Sequence, residues 1–143
     1  MFIAENGIRT LLDDLGRARS GGFCVHISFS GRVPPRKVAL YECIGAAFPG
    51  PDGTVYACED GDVFIVMRNV TRQNLDHLMA CLGELSQNPR TDLGDVDLYD
   101  VGQEQDLLLW LVRNKAARID DQQQRQAELD AAFEAKRSRR NEG

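Results

Sequence analysis

Acidic side chains are concentrated in one short segment of this chain, Glu59-Asp60-Gly61-Asp62. Carboxylates this close together supply the hard oxygen ligands that Mg²⁺ prefers. Some nucleotide-processing folds hold their metal ions at such an acidic hairpin tip. The chemistry of the tetrad therefore depends on the elements that position it.

Two short apolar runs, residues 54–58 and 63–67, flank the tetrad. Apolar runs separated by a glycine-bearing turn predict a β-hairpin, and Asp-Gly is favoured where both central turn residues have positive φ. Carboxylates are common in turns for local hydrogen-bonding reasons. The simplest interpretation of the tetrad is therefore a solvated turn at the hairpin tip.

Hydrophobic periodicity predicts the neighbouring elements. Helical spacing of apolar residues favours helices over residues 7–19 and 36–48, and a third helix beginning at the N-cap Thr71 and ending before Asn88-Pro89. Strict alternation predicts a strand over residues 23–30, and residues 96–101 form a shorter candidate strand. The apolar face of the first strand carries Phe23, Val25, Ile27 and Phe29.

The order of these elements is strand, helix, strand, strand, helix, strand. A hairpin between two βα units is the split βαβ arrangement of ferredoxin-like folds. We therefore predict an α+β fold with a βαββαβ antiparallel sheet and both helices on one face. An N-terminal helix and a long C-terminal helix flank this unit.

The C-terminal helix is predicted to begin near Glu104, with a dense apolar patch that packs on the domain. After Arg118 the apolar pattern thins, and Gln122 and Gln126 stand where a coiled-coil seam prefers aliphatic residues. We therefore expect a domain over residues 1–118 and a helical or partly disordered polar tail over residues 119–143. Both a pairing helix and a solvated tail remain open for this segment.

Composition places the chain among soluble globular domains. Its 143 residues suffice for one domain, and no apolar run approaches the length needed to cross a bilayer. The N-terminus lacks the features of a secretory signal, so we expect a cytoplasmic protein without membrane insertion. Four dispersed cysteines predict buried free thiols, and His26 and His77 are not at metal-ligand spacing, so no metal site is expected.

The charge distribution argues against nucleic acid as a partner. Residues 1–102 hold 14 acids and 9 bases, whereas residues 103–143 hold 8 of each. An acidic body disfavours binding that depends on phosphate contacts. Phe23, Phe29 and Phe64 lie on predicted strands, as in RNA-recognition modules, but the first two share a face with core residues.

Taken together, the segments FCVHISFSG, GTVYACEDGDVFIVM, TRQNLDHLMACLGEL, VDLYDVG and DLLLWLVRNKAARI resemble a GGDEF-type diguanylate cyclase domain over residues 8–119. In that family a hairpin carries the Gly-Gly-(Asp/Glu)-Glu-Phe signature, and an Asp on the first strand completes the metal site. The resemblance implies that Asp62 falls on the second acidic position of the signature. Glu59 and Asp60 stand where the family has its two glycines.

Several departures from the family pattern imply a degenerate member without catalytic activity. The first-strand Asp falls near His26 or Ser28, so one half of the cation site has no carboxylate. The Arg-x-x-Asp motif before the signature is replaced by Pro-Asp-Gly-Thr-Val. A glutamate also puts negative charge where phosphates would lie, so nucleotide binding is not expected and no cofactor is predicted.

The predicted function is a regulatory or scaffolding domain of bacterial-type signalling that acts through a protein partner or a homodimer. The apolar contacts on the C-terminal helix would be Leu107, Leu111, Ile119, Leu129 and Phe133. The alternative is a sensing domain that binds a nucleotide or cyclic di-GMP at Glu59, Asp60, Gly61 and Asp62. Cys24 and His26 could in principle form the nucleophilic pair of a hydrolase, but no orienting third group is evident.

Overall fold

The computed structural model describes residues 2–4, 7–17, 21–29, 34–50, 52–85 and 95–141. Within these ranges the chain is a mixed α+β protein with a five-stranded sheet and four helices. The elements are β1 (Phe2–Ala4), α1 (Gly7–Arg17), β2 (Phe23–Ser28), α2 (Lys37–Ala47), β3 (Thr54–Ala57), β4 (Val63–Met67), α3 (Arg72–Leu85), β5 (Asp95–Asp100) and α4 (Gln105–Asn141).

The strands of the sheet lie in the order β1-β3-β4-β2-β5. The four predicted strands are antiparallel neighbours, but β1 pairs parallel to β3, with Phe2 opposite Thr54. The prediction of a wholly antiparallel sheet was therefore wrong. A three-residue strand is too short to show the alternation that predicts the other strands, and its pairing partner lies 52 residues further along the chain.

The alternation along β2 divides its side chains between two apolar layers. Val25 and Ile27 are fully buried in a core formed with α2 and α3, so the two crossover helices pack on one face of the sheet, as predicted. Cys24, on the other face, is also fully buried. Both faces of β2 are therefore covered by apolar layers, although β2 lies next to the edge strand β5.

The second layer consists of α1 and the first half of α4. Leu11 of α1 and Leu108 of α4 are fully buried against Phe64 of β4. The apolar residues of α1 recur three and four positions apart, which gives this short helix a single buried stripe facing the sheet. The sheet is therefore enclosed between two helical layers.

The start of α3 confirms the predicted N-cap. Thr71 Oγ1 accepts the Asn74 backbone N–H at 3.1 Å, and Asn74 Oδ1 accepts the Thr71 N–H at 2.9 Å. This reciprocal pair satisfies donors that the first helical turn leaves without intrahelical partners. Asn74 Nδ2 also donates to Ala47 O at 2.8 Å, which fixes the start of α3 beside the end of α2.

The C-terminal helix extends past the sheet. Ile119 is buried in the second layer, so the packed part of α4 reaches one residue beyond the predicted boundary at 118. Residues 120–139 are all exposed, and the helix continues to Asn141. We call residues 120–141 the arm. No helix in the described ranges is both long and apolar enough to cross a membrane.

Candidate functional site

The acidic tetrad forms a tight turn at the tip of the β3–β4 hairpin. Gly61 N–H donates to Cys58 O at 3.1 Å, and Cys58 N–H donates to Asp62 O at 2.9 Å. Gly61 has a φ of 93°, a conformation that glycine adopts without steric cost. The bond between Cys58 and Asp62 encloses three residues, Glu59 to Gly61, which makes the loop one residue longer than a two-residue Asp-Gly turn. This geometry directs Asp60 and Asp62 to the same side of the hairpin.

A lysine from α4 lies between these two carboxylates. Lys115 Nζ is 2.5 Å from Asp60 Oδ2 and 2.6 Å from Asp62 Oδ2. The side chains of Lys115 and Asp62 are only 8% and 10% exposed, whereas that of Asp60 is 27% exposed. The hairpin tip is therefore not a freely solvated turn, because two of its carboxylates hold a buried ammonium group.

Asp62 has two further neighbours on β2 and just beyond it. Its Oδ1 accepts the Phe29 backbone N–H at 3.0 Å, which ties the hairpin to the end of β2. His26 Nε2 is 3.7 Å from Asp62 Oδ2, too long for a hydrogen bond but close enough for electrostatic attraction when the imidazole is protonated. The imidazole stacks on Phe64, with ring centroids 4.1 Å apart.

The pKa values within this cluster favour a charged pair. Burial alone would raise the pKa of Asp62, but the contacts with His26, Lys115 and Phe29 N–H outweigh burial and hold it well below its usual range. Burial would lower the pKa of Lys115, but its hydrogen bonds to Asp60 and Asp62 outweigh burial and raise it. Both groups are therefore ionised at neutral pH, which compensates the cost of burying either one.

A groove of about 640 Å³ lies beside this ion cluster. Its floor includes His26 and Phe64, and its walls come from β5 and from one face of α4. Asp95 and Asp97 at one wall are exposed, and Gln122 marks the point where the groove meets the arm. The groove is therefore lined by carboxylates along the sheet edge and by Lys115 and Arg118 along α4.

A second cavity of about 270 Å³ lies near the loop at Gly21 and Gly22. Tyr56 Oη donates to Asp14 Oδ2 at 2.6 Å beside it. Burial, together with this hydrogen bond, raises the pKa of Tyr56, so the phenol stays protonated. This hydrogen bond joins α1 to β3, and its role is therefore structural.

The predicted interaction residues do not form a single surface. Leu107 is 47% exposed and Leu111 is half-buried at the groove, whereas Ile119 is buried in the protein's own core. Leu129 and Phe133 are 65% and 76% exposed on the arm. Ile119 is therefore not accessible to a partner, and Leu129 and Phe133 are the most exposed members of the predicted set.

The prediction of four free thiols was wrong for two of them. The structure joins Cys43 of α2 to Cys81 of α3 by a disulfide, whereas Cys24 and Cys58 are free and buried. The partners are 38 residues apart in sequence, and only the packing of α2 against α3 brings them together.

The structure gives no support to the nucleophile considered on β2. Burial raises the pKa of the Cys24 thiol to about 12, so the reactive thiolate is not populated at neutral pH. Phe29 and Phe64, considered for base stacking, are 3% and 1% exposed and lie beneath the helical layers. Among the described residues, no group of three or more His, Cys, Asp or Glu side chains is arranged to hold a metal ion.

Sequence reasoning did not identify Lys115 as part of the site. A signal was present, because Lys115 occupies a core-facing position between Val112 and Ile119 on an otherwise apolar stripe. A lysine at such a position is rarely buried without a carboxylate partner. The partner could not be assigned, since Asp60 and Asp62 are more than 50 residues away.

Comparisons with known proteins do not assign this chain to a family. No protein-family model, curated protein or solved structure matches this chain.

Proposed function

We propose that this chain is a non-catalytic regulatory or scaffolding domain that acts by contacting another protein through the arm. The observation that carries the proposal is the position of Lys115 between Asp60 and Asp62. The carboxylates that would attract a cation already have an internal one. The same contact fastens α4 to the hairpin tip, and beyond that anchor the helix extends away from the body.

The fold supports a relationship to GGDEF-type domains as part of this proposal. The strands β3, β4, β2 and β5 are antiparallel neighbours in that order, and α2 and α3 cover one face. This order supports a ferredoxin-like unit, with β1 as an added parallel edge strand, as part of the proposal. In this proposal the acidic hairpin tip corresponds to the signature of that family. We propose a degenerate relative that uses the tip to hold a helix.

The alternative, a nucleotide bound at residues 59–62, requires a different arrangement of the tip. A metal ion at Asp60 and Asp62 would have to displace the Lys115 ammonium, which is buried and donates to both carboxylates. Asp62 is also committed to the Phe29 N–H. Glu59 adds an exposed negative charge beside the tip, which disfavours a triphosphate.

Calorimetry tests the absence of ligand binding in this proposal. The purified chain is titrated with GTP and with cyclic di-GMP, each with and without Mg²⁺, and no saturable heat is expected. An Asp60→Asn variant serves as a probe of the tip that spares the more buried Asp62. Saturable binding that disappears in Asp60→Asn would replace the proposal with the sensing alternative.

Photo-crosslinking tests the role of the arm. A photoreactive amino acid replaces Phe133 in one variant and Trp110 in another; both side chains are exposed on α4, but Trp110 is outside the arm. In cells that naturally make the protein, we expect a discrete protein adduct from position 133 and little or none from position 110. Adducts at position 110 alone would show that the arm is not the contact surface.

A further inference from the structure

The outer edge of β5 is open in the part of the chain that the structure describes. This strand ends the order of the sheet and pairs with β2 on its inner side. A strand at the edge of a sheet presents unpaired N–H and C=O groups, to which a further strand can add. The register with β2 shows which residues carry these groups.

The outward-facing backbone groups of β5 belong to Val96 and Leu98. Val101 N–H donates to Gly22 O at 2.9 Å, which makes these two opposite residues a hydrogen-bonded pair. Hydrogen-bonded pairs recur at every second residue of an antiparallel ladder, so Asp97 directs its backbone groups toward β2. Val96 and Leu98, which alternate with it, direct theirs away from β2.

Glu104 closes one end of this edge. Asp100 N–H donates to Glu104 Oε2 at 2.8 Å, and Asp100 O accepts the Glu104 N–H at 2.8 Å. No described residue makes a hydrogen bond to the outward-facing groups of Val96 and Leu98. The N–H and C=O of both residues are therefore available to an added strand.

The side chains along β5 alternate between an apolar face and an acidic face. Val96 packs on the core formed with α2 and α3, and Leu98 is 42% exposed on the same face. Asp95 and Asp97 are exposed on the opposite face, where they line the groove beside α4. Neither carboxylate has an ion-pair partner among the residues that the structure describes. An added strand would therefore place its residues beside apolar side chains and beside carboxylates in turn.

The charge of the groove favours basic side chains on such a strand. The groove lining contains four aspartates against one lysine and one arginine. Lys115 is already paired with two of these aspartates at the hairpin tip, and Arg118 lies on the α4 wall. A lysine or arginine beside Asp95 or Asp97 would gain an opposite charge, whereas a glutamate would meet a like charge. Its aliphatic stem could lie along Tyr99, which also lines the groove.

A second copy of this chain does not have the required pattern. β5 carries Asp95, Asp97 and Asp100 and no base. Pairing of β5 with β5 would bring together the carboxylates of both copies, and like charges on neighbouring strands are destabilising. A small polyamine would match the carboxylates but would leave the backbone groups and Leu98 uncovered. The open backbone, the apolar side chain and the carboxylates together indicate an extended polypeptide.

We infer that the outer edge of β5 binds an extended segment of another protein in which basic and apolar residues alternate. The segment adds to the sheet as a further strand. Its apolar residues lie beside Val96 and Leu98, and its basic residues point into the groove beside Asp95 and Asp97. This site goes beyond the proposed function, because it is on the body and not on the arm.

Backbone hydrogen exchange followed by NMR tests the strand addition on the full chain. The probe is a blocked peptide of about eight residues, within the usual length of a strand, in which lysine and valine alternate. In the free chain the Val96 and Leu98 amides should exchange rapidly, whereas the Asp97 amide, which faces β2, should exchange slowly. The peptide should slow exchange at Val96 and Leu98. Slow exchange of both amides in the free chain would show that the edge is already covered, which would overturn the inference.

Calorimetry with matched peptides tests the alternation and the charge. One control peptide has the same composition with its lysines and valines in separate blocks, and another has glutamate in place of lysine; both should bind more weakly. Asp95→Asn and Asp97→Asn should each raise the dissociation constant of the alternating peptide by up to about fivefold, the usual worth of an exposed ion pair. Asp13→Asn, an exposed position on α1, is the matched control and should leave the constant unchanged.

The remaining outcomes separate this inference from the proposed function. Equal binding of the alternating and block peptides, equal binding of spermidine, or no saturable binding at millimolar peptide each overturns the inference. In any of these cases, an adduct from position 133 without nucleotide binding would still support the proposed role of the arm. Peptide binding with protection of Val96 and Leu98, in a chain that gives no such adduct, would keep the inference and reject the role of the arm.

Discussion

Lys115 illustrates how a charged residue can occupy a core position of an amphipathic helix. Its neighbours on the stripe, Val112 and Ile119, are apolar and buried. The aliphatic stem of lysine can lie among such residues while its ammonium reaches the hairpin carboxylates. Two carboxylates around one ammonium leave a net negative charge. Asp60 remains partly solvated, and the Phe29 N–H donates a hydrogen bond that stabilises the charge on Asp62.

Replacing Lys115 with methionine should destabilise the body markedly. Methionine conserves the volume of the stem but leaves the Asp62 carboxylate buried without its cation, and breaking a buried ion pair costs about 3–5 kcal/mol. Urea unfolding of Lys115→Met measures the change. Lys136→Met, on the exposed arm, removes the same charge and should change the free energy of unfolding by less than about 0.5 kcal/mol. Equal effects of the two variants would contradict the buried ion pair.

The stability of the body should fall at acid pH because of Asp62. Its pKa in the folded state lies below the unfolded value of about 3.9, so the unfolded chain takes up the proton first. The contribution is present above the unfolded pKa and is lost as pH falls toward the folded one. Lys115 behaves in the opposite sense: its raised pKa gives a contribution that is lost as pH rises above about 10.4.

An Asp62→Asn variant tests whether Asp62 causes the loss of stability at acid pH. The amide cannot bind the Lys115 ammonium as a carboxylate does, so the variant should be less stable near neutral pH. Its free energy of unfolding should vary less steeply with pH below about 5. Asp121→Asn, on the arm, is the matched control and should follow the native curve. If the free energy of unfolding of Asp62→Asn fell at acid pH as steeply as that of the native protein, the acid sensitivity would arise from other carboxylates.

Two glycines of α1 give a contrast at the scale of an element. A Cβ on Gly7 would lie 2.6 Å from the backbone of Tyr56 and Ala57, whereas a Cβ on Gly16 would meet nothing within 4 Å. Gly7 thus lets the start of α1 approach β3 directly. The close approach is fixed by backbone atoms, which cannot move aside as a flexible side chain can.

Gly7→Ala should therefore destabilise the protein by about 1–3 kcal/mol, the usual cost of overpacking. Gly16→Ala in the same helix should stabilise it by up to about 1 kcal/mol through helix propensity. Thermal unfolding of both variants provides the comparison. Opposite signs are expected, and a gain in stability from Gly7→Ala would show that α1 does not lie this close to β3.

The elements that were predictable are those with long periodic patterns. The alternation from Phe23 to Ser28 correctly separated two faces of β2, and helical spacing located all four helices to within a few residues. Local patterns could not reveal what depends on distant contacts. The parallel strand β1, the pairing of Cys43 with Cys81 and the contact between Lys115 and the hairpin tip all join residues far apart in sequence.

At the scale of the whole molecule, α4 belongs to two environments. Its first half completes the helical layer over the sheet and is held there by apolar packing and by Lys115. Its second half has exposed side chains throughout residues 120–139. An isolated polar helix gains little from packing and is marginally stable in water. The arm therefore depends on the anchored first half of α4 for its nucleation.

Removing residues 123–143 should leave the body almost unaffected. None of the residues 123–139 is buried, so the free energy of unfolding of the body is expected to change by less than about 0.5 kcal/mol. The far-ultraviolet helical signal should fall, since 19 of the 37 residues of α4 are lost. Urea unfolding followed by Trp110 fluorescence, which reports on the retained half, separates the two effects. A large loss of stability would mean that the arm packs on its own body, and the arm would then not be free to contact another protein.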